Sequence, residues 1–251
     1  MEITFLGTGV AIPQMGRVQS GVLVRLEEKP MLIDCGSGVL NRFPEAGLSH
    51  TEVDTVLLSH LHLDHVADLV PLIKANWLRG KTDMRVYGPE GTDDWFSTVL
   101  GAYEYIQDEV DVDVVELSPG KEFTPEGFDC EITCVAAIHS VPTLAYRVTA
   151  EDGEFVYSGD TEPCREIMDL AAESDLLIHE CSFPPGINVT NHTTPTTLAE
   201  MLDEYNPEVG SICLTHFYPD MRGHEREAIY RLKGYLEGEV ILAEDLMKLE
   251  L

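Results

Sequence analysis

The sequence predicts an α+β domain that contains more than one β-sheet. Short runs of apolar and β-branched residues recur along the chain, and each is bounded by Gly, Pro, Asp or Ser, as strands usually are. Stretches with helical spacing are fewer, and they do not alternate strictly with the strand-like runs. This mixed order argues against a doubly wound parallel sheet and favours separate layers of helix and sheet.

The predicted strands, in chain order, are ITFLG, GVLVRL, MLIDCG, DTVLLSH, MRVYG, EITCVAAIH, TLAYRVT, EFVYSGD, DLLIHE, SICLTH and EVILAED. Two stretches have helical periodicity, HVADLVPLIKANWL at 65–78 and TPTTLAEMLDEY at 194–205. The second stretch carries a capping-box pattern, Thr197 followed three residues later by Glu200. The sequence shows no linker-like or repetitive tract, so one domain over residues 1–251 is expected.

The charge of the chain limits its partners. Its 16 Lys and Arg against 45 Asp and Glu give a formal net charge of −29, which excludes a non-specific nucleic-acid binder. The sequence lacks an apolar run long enough to cross a membrane, so we expect no membrane association. Its beginning, MEITFLGTGV, lacks the features of a signal peptide, and a cytoplasmic location with six reduced cysteines is expected.

The segment SHLHLDH contains four side chains that bind metals, His60, His62, Asp64 and His65. It follows the strand-like VDTVLL, so alternation places His60 and His62 on one side of an extended segment. Asp64 and His65 fall at the start of the next helix, where they can turn back to the same point. A divalent metal would neutralise and order this cluster, and the alternative is a solvated polar loop.

Three further candidates each follow a hydrophobic strand: His139 after EITCVAAI, Asp160 after EFVYSG, and His216 after SICLT. The ends of strands are where a rigid sheet presents functional side chains to a common crevice. Taken singly, each is more typical of a structural residue. Together with the four-member cluster they give five His and two Asp, enough ligands for two metals that share one carboxylate.

The SHLHLDH motif, with His139, the SGDT Asp160 and the THF His216, resembles the metallo-β-lactamase superfamily and, within it, the ribonuclease Z-like branch. The resemblance spans nearly the whole chain. Its other matching segments are FLGTG at 5–9, LIDCGSG at 32–38, HSVPTLAYRV at 139–148, YSGDT at 157–161, HECSF at 179–183 and LTHF at 214–217. It implies a four-layer αββα sandwich. Members of the branch often dimerise, so a homodimer is one of the oligomeric states that the resemblance implies.

The resemblance also implies two divalent metal ions. Imidazole-rich ligation favours zinc, and the carboxylates also suit manganese or iron. The ligands that the resemblance implies are His60, His62 and His139 for one metal, Asp64, His65 and His216 for the other, and Asp160 between them. A hydroxide that bridges the metals would attack the substrate, and Asp64 would help to orient it. Glu180 and His192 match a pattern in which a Glu-assisted His stands near the leaving group, and the alternative for His192 is a capping or loop histidine.

A metal-dependent hydrolase of a small or cyclic phosphodiester is the expected function, so the expected partner is a small anionic ester. The first alternative is a tRNA 3′-end endonuclease of the ribonuclease Z type, and remoter ones are a sulfatase, a lactonase or a non-catalytic metal-binding protein. Two features argue against extended nucleic acid. Ribonuclease Z enzymes, which the chain resembles, carry a tRNA-gripping arm, and in the common long-arm form it lies between the equivalents of His139 and Asp160. Only twenty residues separate the two here, enough for a hairpin alone. The most basic segment, MRGHEREAIYRLK, is interrupted by acids, and Arg17 or Arg222 would suffice for a small ester.

Overall fold

A computed structural model describes residues 1–27, 29–236 and 238–251. Its strands are β1 (Glu2–Gly7), β2 (Gly21–Leu26), β3 (Lys29–Ile33), β4 (Thr55–Leu57), β5 (Asp83–Gly88), β6 (Asp111–Glu116), β7 (Glu122–Phe123), β8 (Glu131–Ala136), β9 (Leu144–Ala150), β10 (Gly153–Tyr157), β11 (Leu176–Glu180), β12 (Ser211–Thr215), β13 (Val240–Leu242) and β14 (Lys248–Glu250). Its α-helices are α1 (Val39–Glu45), α2 (Leu63–Val66), α3 (Leu69–Leu78), α4 (Thr92–Gly101), α5 (Glu104–Gln107), α6 (Arg165–Ala171), α7 (Pro195–Tyr205) and α8 (Glu225–Leu232).

The strands form two seven-stranded sheets, in the orders β14-β1-β2-β3-β4-β5-β6 and β13-β12-β11-β10-β9-β8-β7. Each sheet is antiparallel on one side and parallel on the other, with β3 to β6 parallel in the first sheet and β10 to β13 parallel in the second. Parallel strands end at a common edge, and this edge is where the side chains of the candidate site emerge.

The fold has four layers, namely helices, a sheet, a second sheet and helices, and an apolar layer lies between each neighbouring pair. The inner layer lies between the sheets and contains large buried side chains such as Phe5, Tyr146 and Phe155. One outer layer joins the first sheet to α1, α3 and α4, and the other joins the second sheet to α6, α7 and α8. The predicted αββα sandwich is therefore confirmed. None of the helices in the described ranges combines the length and the apolar character that a membrane crossing requires.

The predicted helix over 65–78 is wrong in one respect, because the structure divides it into α2 and α3. The break falls at Asp68, whose backbone N–H donates to the carbonyl of Cys35. The Asp68 carboxylate meanwhile accepts the backbone amides of Gly38 and Leu40, at 2.8 and 3.0 Å. These long-range hydrogen bonds outweigh the helical periodicity and leave α2 free to present Asp64 and His65 at the site.

The predicted helix over 194–205 is confirmed, but the residues of its capping box differ from the predicted pair. Helix α7 begins at Pro195, and Thr194 is its N-cap, accepting from the backbone N–H of Thr197. Proline suits the first helical position because its missing N–H would be unpaired there in any case. The Thr197 hydroxyl completes the capping box by accepting the Thr194 N–H, a role that the sequence assigned to Glu200 one turn later.

Three strands were absent from the sequence prediction. Strand β6 has the sequence DVDVVE and pairs in parallel with β5, but it is half-exposed and its acids conceal its alternation. Strands β7 and β14 are only two and three residues long and are defined by their partners β8 and β1. The hairpin expected between His139 and Asp160 is present as the antiparallel pair β9 and β10.

Candidate metal centre

The structure brings the sequence-predicted ligands together at one edge of the sandwich. His60 and His62 follow β4, His139 follows β8, and Asp160 follows β10. One ligating atom from each of these four residues lies within 4.8 Å of the others. His62 and His139 face each other with 3.1 Å between Nδ1 and Nε2, and the Asp160 carboxylate closes the group at 3.8 Å from His60 Nε2.

A second group contains Asp64, His65 and His216, whose ligating atoms lie equally close together. His65 Nε2 is 3.3 Å from His216 Nε2, and His216 Nε2 is 3.5 Å from Asp64 Oδ2. Asp160 also borders this group, because its two oxygens lie 3.4 Å from His65 Nε2 and 3.4 Å from His216 Nε2. Asp160 thus stands between the two groups, in the position expected of a shared ligand.

For His65 and His139, the hydrogen bonds at Nδ1 leave the other ring nitrogen, Nε2, free to offer its lone pair to a metal ion. The Nδ1 atoms of His65 and His139 each face a strong acceptor, Asp34 Oδ2 and the Asn191 carbonyl, both at 2.7 Å. An Nδ1–H that donates outward fixes the tautomer in which Nε2 carries the lone pair. His65 Nε2 lies 3.3 Å from His216 Nε2, His139 Nε2 lies 3.1 Å from His62 Nδ1, and both Nε2 atoms lie within 4.0 Å of an Asp160 oxygen.

The unpaired atoms at the centre fit a cation. His60 Nε2 and Asp160 Oδ1 are buried and have no hydrogen-bond partner among the described residues. A buried polar atom without a partner is costly, and a cation would satisfy both atoms. The donor set of imidazoles and carboxylates suits zinc and also accepts manganese or iron. The residues present therefore fit two divalent cations.

The pKa shifts of the candidate ligands are consistent with the binding of cations at this centre. Burial, followed by the neighbouring His65, lowers the pKa of His60 well below its usual value, which keeps it a neutral ligand. Burial alone would raise the pKa of Asp160, but His216 and His65 outweigh it and hold the pKa well below its usual range. Burial also disfavours a charge on His65, yet Asp160 and Asp34 raise its pKa well above the usual value. The carboxylates thus favour a positive charge at this place, whether a proton or a metal ion.

Sequence reasoning missed Asp34, the residue that orients His65. Asp34 follows β3, is completely buried and has a left-handed backbone with φ of 60°. Its carboxylate accepts from Ser59 N at 2.7 Å, Ser59 Oγ at 2.8 Å, Tyr157 OH at 2.8 Å and His65 Nδ1 at 2.7 Å. The available signal was the acid in LIDCGSG, placed directly after a buried strand.

We expect Asp34→Asn to weaken metal binding by about 10- to 100-fold, because carboxylates that orient ligating histidines contribute about this much to affinity. The Kd for Zn²⁺, measured by competition with a chromogenic chelator, tests this. Tyr157→Phe is the matched control, since it removes one of the four hydrogen bonds to Asp34 and leaves the bond to His65. An Asp34→Asn protein that binds Zn²⁺ as tightly as the parent would contradict the orienting role.

The pair Glu180 and His192 lies beside the ligands. Glu180 ends β11, is 1% exposed, and accepts His192 Nδ1 at 2.8 Å. Backbone and hydroxyl donors from Thr161, Ser182 and Thr193 hold the same carboxylate in place. The ring of His192 lies 5.2 Å from that of His139. Burial lowers the pKa of His192, but the hydrogen bond and charge of Glu180 prevail and raise it above the usual value.

The loop after β1 forms a further wall of the site. The backbone N–H of Ala11 donates to Asp64 Oδ2 at 2.9 Å. The loop is tied at both ends to Asp245, which accepts Thr8 N at 3.0 Å and Val18 N at 2.7 Å. No local sequence pattern indicates this contact, because Asp245 lies more than 200 residues further along the chain. Glycines pack closely here, and a Cβ at Gly36 would lie 2.0 Å from the Asp64 carbonyl oxygen.

The interpretation of Arg17 as a substrate contact does not agree with its position. Its guanidinium donates to Thr8 Oγ1 and to the Ala243 carbonyl, and it stacks 4.7 Å from the centre of the Phe217 ring. Arg17 therefore fastens the loop after β1 to the segment that carries His216. Arg222 is exposed and directly follows the short 3₁₀ turn Pro219–Met221.

The two sheets between helical layers and the histidine–aspartate centre at their edge define a hydrolase of the metallo-β-lactamase fold. The chain belongs to the family described as anti-Pycsar protein Apyc1, whose model matches residues 1–232. It is 30% identical to a ribonuclease Z of Mycobacterium sp. (strain KMS) over 275 aligned positions, which cover 100% of this chain and 96% of the relative.

Solved structures agree with this assignment. The metallo-β-lactamase fold protein YhfI of Bacillus subtilis superimposes with a TM-score of 0.83 at 25% identity and covers 99% of both chains. The short form of human tRNase Z shares the fold, with a TM-score of 0.80 at 24% identity over 100% of this chain and 99% of its own. The resemblance to the ribonuclease Z-like branch is confirmed.

Proposed function

We propose that the protein is a dinuclear-metal-dependent phosphodiesterase that acts on a small or cyclic phosphodiester. The observation that carries the proposal is the position of Asp160 between two groups of imidazole ligands, with the Glu180–His192 pair on the same edge. His60, His62 and His139 would hold one cation, and Asp64, His65 and His216 the other. Bound there, zinc or a similar divalent cation would supply Lewis acidity and lower the pKa of a water molecule.

The remaining chemistry belongs to the side chains. Asp64, held by the Ala11 N–H at one oxygen, would orient the attacking water. His192 donates Nδ1–H to Glu180, so its Nε2 is the atom that would give a proton to the departing oxygen as the P–O bond breaks. Glu180 fixes the ring and stabilises its charged form.

The structure favours a small substrate in two ways. The segment between His139 and Asp160 consists of a short loop and the hairpin of β9 and β10, whose strands meet at a tight turn after Ala150. Several of the scarce cations are engaged by acids, such as Arg231 with Glu227 at 3.0 Å and Arg147 with Glu154 at 2.6 Å. Binding of RNA through several phosphates needs a coherent basic face.

A tRNA 3′-end endonuclease is the second candidate. It is favoured by the full-length similarity to proteins named ribonuclease Z. Both candidate functions would use the same metal centre. They differ in the surface around the centre that would contact the substrate.

We expect the metal-loaded protein to hydrolyse bis(p-nitrophenyl) phosphate and a 3′,5′-cyclic mononucleotide and to leave precursor tRNA uncut. The measurement compares kcat/KM for the small esters with gel analysis of precursor tRNA at about 50 and 200 mM salt, where phosphate contacts differ most in strength. An Asp160→Asn preparation made in parallel reports contaminating nucleases. Specific cleavage at the tRNA 3′ end would overturn the proposal in favour of the second candidate.

A further inference from the structure

A groove between the two sheets opens beside the metal centre. Its volume is about 430 Å³, within the range of small-molecule sites. Its lining includes residues that follow β5 and β6 and residues of the loop after β8, namely Pro89, Glu90, Leu117, Pro119, Val141 and Pro142. The groove therefore has one wall from each sheet.

Both walls are fixed by hydrogen bonds and by prolines. In the loop after β8, the Ala137 N–H donates to the Thr143 carbonyl at 3.0 Å, and Thr143 Oγ1 donates to the Val141 carbonyl at 2.9 Å. The opposite wall is tied to β8 by the Gly120 N–H, which donates to the Cys134 carbonyl at 2.7 Å. A groove of this kind is preformed, so a ligand binds it without ordering a loop.

The groove is continuous with the metal centre. His139 lines both, and the neighbouring Ser140 lines the groove while its Oγ lies 3.4 Å from His62 Nε2. His192 contacts the rings of His139 and Phe183 instead, and within the described residues it is not part of the groove lining. An ester whose leaving oxygen meets His192 would thus direct its other substituent toward the groove.

The chemistry of the lining selects that substituent. Three prolines, two leucines and a valine offer apolar surfaces, which suit a planar ring. Among the described residues of the lining, Glu90 is the only Asp, Glu, Lys or Arg, so a second phosphate or carboxylate would meet repulsion without a compensating cation.

We propose that this groove binds an uncharged planar ring on the substituent that stays attached to the phosphorus. The proposal rests on the proposed phosphodiesterase function and makes it more specific. It implies that the enzyme prefers aryl to alkyl esters and neutral rings to anionic rings. It also implies that the next nucleotide of a polynucleotide is disfavoured at this position.

The first experiment compares phenyl p-nitrophenyl phosphate with methyl p-nitrophenyl phosphate, which share a leaving group. We expect the wild-type kcat/KM to be about tenfold higher for the phenyl ester, through a lower KM. Ser118→Phe, at an exposed position of the lining, should remove this preference by filling the groove, with metal content and Tm unchanged. Ser97→Phe, at an exposed position of α4, is the control and should keep the preference.

The second experiment tests charge with 4-carboxyphenyl p-nitrophenyl phosphate. Glu90→Lys should raise kcat/KM for this ester relative to the phenyl ester by about two- to fivefold. Glu151→Lys makes the same charge change in the β9–β10 turn, at the opposite end of the hairpin, and should leave the ratio unchanged. Equal rates for phenyl and methyl esters, or a preference that survives Ser118→Phe, would overturn the groove assignment alone. Hydrolysis of neither ester would overturn the phosphodiesterase proposal together with it.

Discussion

Asp160→Asn is expected to lose both metal sites and at least about a thousandfold in kcat/KM, since metal ions contribute several kcal/mol to reactions of this type. The carboxylate borders His60 and His139 on one side and His65 and His216 on the other. Asparagine keeps the size of the side chain and removes the charge that both groups share. One substitution should therefore affect two cations.

The measurement is metal stoichiometry by mass spectrometry after dialysis, followed by steady-state kinetics. The parent protein should retain about two equivalents, and Asp160→Asn less than one. Asp169→Asn is a suitable control because Asp169 is an exposed acid on α6 that pairs with Arg165. A variant that keeps both cations would show that Asp160 is not the shared ligand, even if its activity fell.

The sequence signals of the candidate ligands are local, and the structure places these residues close together. His60, His139, Asp160 and His216 each follow a hydrophobic strand that is readable from a few residues, as in SICLT before His216, and Asp64 and His65 belong to the same short motif as His60. The sheet topology brings these residues together, because the parallel strands of both sheets end at the same edge. The αββα arrangement itself came from the family resemblance, because the run of strands and helices indicated only an α+β domain with several sheets.

The supporting residues were not predictable in the same way, because their partners are distant in the chain. Asp34 orients His65 across 31 residues, and Asp245 fixes the loop at Thr8 across 237. The break at Asp68 has the same origin, in hydrogen bonds to a segment about 30 residues earlier. Local patterns also assigned the capping box of α7 to Thr197 and Glu200, whereas Thr194 and Thr197 form it.

His192→Ala is expected to lower kcat by about 10²- to 10⁴-fold for esters with poor leaving groups and to leave metal content unchanged. Protonation of the departing oxygen matters most when that oxygen is strongly basic, so p-nitrophenyl esters should lose far less. A series of aryl esters of increasing phenol pKa should therefore give a steeper dependence of log kcat on leaving-group pKa in the variant than in the parent. His224→Ala, at an exposed position before α8, is the control and should match the parent.

The same variant separates two roles for His192, because its ring also lies within ligand distance of Asp160 and His216. A proton donor and a metal ligand would both lose activity on removal, but only the ligand would change the stoichiometry. The hydrogen bond from His192 Nδ1 to Glu180 favours the donor role, since it keeps the ring oriented while Nε2 is protonated. Retained metal with a steeper leaving-group dependence is the expected result. Loss of one cation, or unchanged turnover of an ester with a poor leaving group, would exclude His192 as the general acid.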